Sequence, residues 1–313
     1  MTRRLLHILL AGALNLIAAL GAAQAQDCAF SATGLDFGAV DTLSSGNVDT
    51  FGTITISCPA LLSSASGTIS IGDGSGGATA SARQMTSGGT ATALDYQLYT
   101  DAARTIVAGT APANRLSFDS GLINILGSSA ALDLYGRVFG GQSDVAPGSY
   151  LSQFGAADVV IDYTTCTLLL VCTNRAATLS FDVTAGIAAN CAVSATDLDF
   201  GPNGVLSGSV DGTSTVSVLC TPQTAFQIGL DNGLTGSAPA SRLMTNPNGH
   251  SVSYGLYRDA SRNLSWGSTL NVDTGSGTGD GTSTDFTVYG WVPAQATPPA
   301  GVYSDTVVVT VTY

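Results

Sequence analysis

From Cys28 the chain reads CAFSATGLDFG, and from Cys191 it reads CAVSATDLDFG. A match of that length within one chain means that one unit has been laid down twice, so whatever fold is adopted must be adopted twice. Each copy runs on to a second cysteine at a similar distance, Cys58 in TITISC and Cys220 in VSVLC. RQMT at 83–86 answers RLMT at 242–245, YQLYTDAAR at 96–104 answers YGLYRDASR at 254–262, and YGRV at 135–138 answers YGWV at 289–292. Both copies close on a Pro/Gly turn, a Tyr and a β-rich run: DVVIDY ending at Tyr163, and DTVVVTVTY ending at Tyr313.

Within each copy Thr, Ser, Val and Gly abound, while Lys and Glu are absent, so every side-chain cation other than His is Arg and every anion is Asp. Scarce helix formers and frequent β-branched residues favour strands. Gly, Pro, Asn and Asp cut those strands short, and each copy reads as an immunoglobulin-like β-sandwich, giving an all-β chain of two tandem sandwiches. Of the many pairings that six cysteines allow, the repeat favours Cys28 with Cys58 and Cys191 with Cys220, which leaves Cys166 for Cys172.

Residues 1–25 read as a cleavable secretory signal, with Arg3 and Arg4 ahead of an apolar run and an A-x-A site at Ala23 to Ala25. No second apolar run of about 20 residues follows to span a bilayer, and Ala25, Gln26 and Asp27 before Cys28 do not form a lipobox. The expected product is exported, in a compartment where disulfides persist. Taking Arg3 and Arg4 from the ten Arg leaves eight against 22 Asp. Phosphates would repel a chain of that acidity, so neither nucleic acid nor an anionic membrane surface is an expected partner.

Catalytic chemistry has little to work with. His250 is the one histidine beyond the signal, it sits in the turn-like NPNGH, and no G-x-S-x-G elbow occurs. GDGSGG at 72–77 matches a dinucleotide-binding glycine pattern by letter, but no amphipathic helix follows, and it reads as a hairpin turn. TGSGTGDGTSTD at 274–285 lacks the nonapeptide period of calcium repeats. No pair of cysteines has C-x-x-C spacing. The chain is therefore not read as an enzyme, and no metal or cofactor is expected.

Taken together, the C-x-x-S-A-T-x-L-D-F-G opening, the Y-x-L-Y-x-D centre and the V-T-V-T-Y ending resemble the spore coat protein U domain, the pilin fold of archaic, Csu-type chaperone-usher pili. The resemblance covers essentially the whole chain after the signal, twice. It implies sandwiches that lack their last strand, each groove being filled by an alternating apolar segment from another subunit, the donor-strand form of β-augmentation.

Between the copies lies TLSFDVTAGI at 178–187, in which Leu179, Phe181, Val183, Ala185 and Ile187 alternate with non-aliphatic positions. Such alternation puts one face in a core and one in water. On pattern alone it also fits an edge strand of copy two; with the resemblance it reads as an internal donor strand, a seventh strand completing copy one. The expected domains are then 26–187, a receptor-binding sandwich, and 188–313, a pilin domain short of a strand. Gln26 and Asp27 are too short to donate to another subunit. Val307, Val309, Val311 and Tyr313 mark the edge of the unfilled groove, which a partner must cover. A subunit that accepts but does not donate belongs at a fibre tip.

Three stretches of copy one are apolar where copy two is polar. They hold Leu61 and Leu62 in PALLSS, Leu122, Ile123, Ile125 and Leu126 in GLINILG, and Leu168, Leu169, Leu170 and Val171 in CTLLLVC; the counterparts are TPQTAFQ and NVDTGSGTGDGTSTD. A core requirement would apply to both copies, so these read as loops displayed at the distal pole to grip an abiotic or host hydrophobic surface. The alternatives are a core-strand extension, a short buried strand and a plug at the domain junction, respectively. The expected function is the tip adhesin of a chaperone-usher pilus on the cell surface, with a periplasmic chaperone, an outer-membrane usher and the next pilin subunit as partners. The alternatives are a secreted coat-type structural protein and a carbohydrate-binding module.

Overall fold

The computed structural model describes residues 27–58, 62–77, 79–88, 92–119, 128–167 and 171–313, without the side chains of residues 62, 63, 128 and 167. The segment VDTFGTITISC illustrates how this sequence makes a strand: Ile54 and Ile56 point into a core while the intervening Thr53 and Thr55 stay half-buried. Among the described residues the one helical piece is a short 3₁₀ turn, Pro112–Asn114. The chain is all-β and forms two tandem sandwiches.

The first contains β1 (Ala29–Ala32), β2 (Leu35–Val40), β3 (Val48–Cys58), β4 (Leu62–Ile71), β5 (Arg83–Met85), β6 (Leu94–Tyr99), β7 (Leu116–Asp119), β8 (Ser128–Val138), β9 (Gly148–Phe154), β10 (Val159–Thr167), β11 (Cys172–Thr178) and β12 (Phe181–Ile187). One sheet runs in the order β1, β3, β8, β6, β5; a second runs β11, β10, β4, β7; and a third, of three strands, runs β2, β12, β9. Their inner faces share one core, from Cys28 through Leu35, Ile69 and Leu134 to Ile187.

The second contains β13 (Cys191–Ala195), β14 (Val210–Cys220), β15 (Ala225–Leu230), β16 (Arg242–Thr245), β17 (Ser251–Tyr257), β18 (Gly275–Thr278), β19 (Ser283–Val292) and β20 (Val309–Thr312). Its sheets run β13, β14, β19, β17, β16 and β18, β15, β20. They enclose a separate core around Val216, Ile228, Leu256 and Trp266, whose indole N–H donates to the Ile228 carbonyl at 2.9 Å.

Three sequence expectations need correcting here. Copy one does not stop pairing at Tyr163: β10 runs on to Thr167, and β11 returns along it in the register Cys166 opposite Cys172 to Val160 opposite Thr178. The single seventh strand is thus the second part of an excursion through two sheets, and β11 escaped notice because Thr173, Asn174 and Arg175 carry no apolar alternation. The polar stretch NVDTGSGTGDGTSTD is not one loop either, since β18 within it pairs with β15 and the open connection shrinks to 279–282.

The two sandwiches stack head to tail. At one pole of the first, Cys58 stands opposite Ser128 and Thr167 opposite Leu62. At its other pole, Ile187 of β12 lies beside Val40 of β2. There Asn190 Nδ2 donates to Asp41 Oδ1 at 3.0 Å, and a Cβ on Gly281 would collide with the Ser143 backbone. The Cys191–Cys220 end of the second sandwich is therefore the end that meets the first.

Candidate functional site

The two copies differ most where β12 lies. In the first sandwich β12 is parallel to β2, with Val183 beside Leu35, and antiparallel to β9, with Phe181 beside Phe154 and Ile187 beside Gly148. Leu179, Phe181, Val183, Ala185 and Ile187 are all buried, and the Phe181 ring stacks on Phe154 at 4.7 Å. With that cover in place Leu35 is 1% exposed and Phe37 6%.

The second sandwich has the walls of the same slot without the strand. Leu198 and Phe200, which repeat Leu35 and Phe37, belong to no strand and are half-buried. On the facing side Ser304 makes a single bridge to Thr245, as Leu151 does to Thr86 in the first copy, and among the described residues no strand lies between these two walls. A groove of about 410 Å³ remains, floored by Val216, Leu256 and Val288 and edged by Tyr303, Val307 and Val309. Val307, Val309 and Val311 are half-buried, while Tyr313 is largely exposed and reaches Asn190 Oδ1 with its hydroxyl at 3.3 Å. Unpaired backbone beside apolar side chains is a template for another strand.

Two carboxylates line the groove, the exposed Asp197 and the half-buried Asp305. Asp305 Oδ2 accepts from the Tyr254 hydroxyl at 2.7 Å, and Oδ1 accepts from the Leu234 N–H at 2.9 Å and the Thr306 N–H at 2.8 Å. Burial, and then the hydrogen bond to Asp305, push the Tyr254 phenol well above its ordinary value. The matching Tyr96 of the first sandwich is pushed up to about 12, chiefly by burial.

Sequence reasoning missed a pair of buried arginines. Arg83 is held by the carbonyls of Ile71, Gly72 and Ala108 and by Gln97, and Arg242 by those of Leu230, Asp231, Pro239 and Trp266. Burial pulls Arg83 down to about 10 and lowers Arg242 as well. Each ties the sheet that carries it to a second sheet of its sandwich through backbone carbonyls, and the signal was present in the paired RQMT and RLMT, whose arginines sit at the same repeat position.

All three disulfides form, Cys28–Cys58, Cys166–Cys172 and Cys191–Cys220. Leu61, Leu122, Ile123, Ile125, Leu126, Leu168, Leu169 and Leu170 lie outside the described residues; Leu62 opens β4, and Val171 is 60% exposed. The connections 59–61, 120–127 and 168–171 join strand ends at the pole of the first sandwich away from the second. Their counterparts, 221–224 and 279–282, sit at the junction, where Thr221 and Thr224 hydroxyls bond at 2.7 Å and Gly281 presses on Ser143. Close backbone approach therefore accounts for small, polar residues in the second copy. His250 is exposed in its turn.

Comparison with known families adds a decisive fact: the model of the Spore Coat Protein U domain matches residues 13–156 and again 177–310. The chain belongs to the spore coat protein U domain family. A curated relative, Protein U of Myxococcus xanthus, is 35% identical over 120 residues, 36% of this chain; the match spans 65% of the relative's length. Among solved structures, a chain of the CsuC–CsuE chaperone–tip adhesion subunit pre-assembly complex, from the archaic chaperone-usher Csu pili of Acinetobacter baumannii, is similar at TM-score 0.52 and 17% identity. That similarity covers 92% of this chain and all of that one. It is a likeness of fold.

Proposed function

We propose that this chain is the tip adhesin of a chaperone-usher surface pilus, exported through the periplasm to the fibre end. The observation that carries the reading is the unequal pair of sandwiches: the first encloses β12 between β2 and β9, and the second has the equivalent slot open. On this reading β12 is an internal donor strand spent within its own domain, while the second groove takes a periplasmic chaperone's strand and then, at the outer-membrane usher, the donor strand of the next subunit. The protein works by strand exchange and attachment, without turnover.

Attachment is assigned to the apolar stretches at 59–62, 121–127 and 168–171, whose flanking strand ends share the pole away from the groove-bearing sandwich. A contiguous apolar patch of a few hundred Å² contributes several kcal/mol on meeting a nonpolar solid at about 25 cal/mol per Å². Immunogold labelling of assembled fibres tests the position, with one label expected at one end; labels spread along the shaft refute it. Leu169→Ser with Leu170→Ser is expected to leave fibre number unchanged and to weaken attachment to polystyrene. Unaltered attachment removes the 168–171 loop from the gripping surface.

A further inference from the structure

The filled slot and the open one differ at the residue in the middle of the β9 wall. Two matching features fix the alignment. Tyr150 donates to the Ala146 carbonyl at 2.8 Å and Tyr303 to the Pro299 carbonyl at 2.7 Å, each four residues back, and the bridge from Thr86 to Leu151 repeats as Thr245 to Ser304. Two residues beyond each Tyr stand Ser152 in the first sandwich and Asp305 in the second. Ser152 is fully buried and faces Val183, the most enclosed residue of β12. A strand laid at the same register into the second groove would therefore set its central inward side chain against the Asp305 carboxylate.

That carboxylate accepts three hydrogen bonds, and its Oδ2 has only the Tyr254 hydroxyl. Among the described residues no arginine stands within ion-pair distance of it. Covering the groove strips water from Oδ2. A valine at the central position would close two methyl groups over an under-bonded charge, which is costly. A side chain with an O–H or N–H would answer it with a charge-assisted hydrogen bond.

We infer that Asp305 makes the second groove selective for a donor strand carrying a hydrogen-bond donor at its central inward position, and that it disfavours the chain's own 178–187 sequence. The two slots share their flanking apolar walls, so without such a difference one copy's β12 sequence would suit another copy's open groove. The inference rests on the strand-acceptor reading above and deepens it by naming the partner strand's chemistry.

The test titrates the full exported chain, whose first slot already holds β12, with two synthetic peptides: residues 178–189 as they stand, and the same peptide with Val183→Ser. The serine peptide is expected to bind at least about tenfold more tightly, the scale of one charge-assisted hydrogen bond gained against one left unmade. Asp305→Ser, which restores the first sandwich's residue, and Asp305→Asn, which keeps the carboxylate's shape without its charge, are both expected to bring the ratio to about one or below; either suffices if the other misfolds. A ratio under about threefold in the unmodified chain, or one unchanged in the variants, overturns the role of Asp305 while leaving the acceptor groove standing. Failure of both peptides to bind any of the three proteins overturns the acceptor reading itself and this inference with it.

Discussion

Truncating Phe181 to alanine removes a buried ring that stacks on Phe154, with centroids 4.7 Å apart and planes 11° from parallel. Deleting a buried phenylalanine side chain costs about 3–5 kcal/mol, of which the lost ring pair supplies roughly 0.5–1.5. In a domain of about 160 residues each kcal/mol lowers Tm by roughly 2–4 °C, so a fall of about 6–20 °C is expected. The chain reports its halves separately, because both tryptophans, Trp266 and Trp291, lie in the second sandwich. Calorimetry sees every transition, whereas tryptophan fluorescence follows the second sandwich alone. The expected result for Phe181→Ala is a calorimetric transition displaced downward by that amount, while the fluorescence midpoint stays within about 2 °C of its original value, the additivity expected of separate cores. A fall in the fluorescence midpoint, or no fall in either, would refute the assignment of β12 to the first sandwich's core.

Other outcomes follow from neighbouring features. Arg83→Met leaves the carbonyls of Ile71, Gly72 and Ala108 without their donor but also removes a buried cation; the net loss expected is about 2–4 kcal/mol by urea unfolding, and stability equal to the parent would sink the pinning role. Removing the Cys28–Cys58 bridge, with its 30-residue separation, should cost more than removing Cys166–Cys172, with a separation of 6. On loop entropy the two losses are about 3.6 and about 2.2 kcal/mol, and paired cysteine-to-alanine variants in denaturant read the order. The backbone N–H of Ile106 is the largest cause holding the Asp101 carboxyl below its usual range, and that of Leu264 does the same for Asp259. A depressed folded value means stability that is present above the unfolded value near 3.8 and lost as pH falls through the folded one. Asp101→Asn should therefore flatten the acid limb of a plot of urea midpoint against pH, and an unchanged limb would contradict it.

How much of this was legible in the letters varies with the physics of each element. The doubling was legible because repetition needs no knowledge of contacts, and the all-β class followed from β-branched residues cut by turn formers. Strand β12 was legible because Phe181, Val183, Ala185 and Ile187 mark one face every second residue. Strand β11 was not, since it is a hydrogen-bonded extension of β10 with Thr, Asn and Arg on both faces, held by register rather than by a greasy side. Arg83 and Arg242 went unread for a related reason: an arginine in a sequence suggests water, and only three-dimensional convergence of carbonyls makes burial tolerable. No motif in the letters singles out Asp305; the two Tyr anchors align it with a buried serine only in the structure.

Strands β11 and β12 carry the chain without reversal from the Cys166–Cys172 bridge to Ile187, three residues from the second sandwich's side of the junction at Asn190. Tension drawn along that axis would load the segment lengthwise, across ladder bonds that stand perpendicular to the antiparallel strands. β12 has ladders on both flanks, an antiparallel one to β9 and a parallel one, with slanted bonds, to β2, so the strand would resist in shear, many bonds sharing the load at once, instead of peeling one bond at a time. The same covalent strand that fills the slot thereby becomes a tether, and a pull on the distal pole reaches the second sandwich through a strand whose inward face is buried in the first.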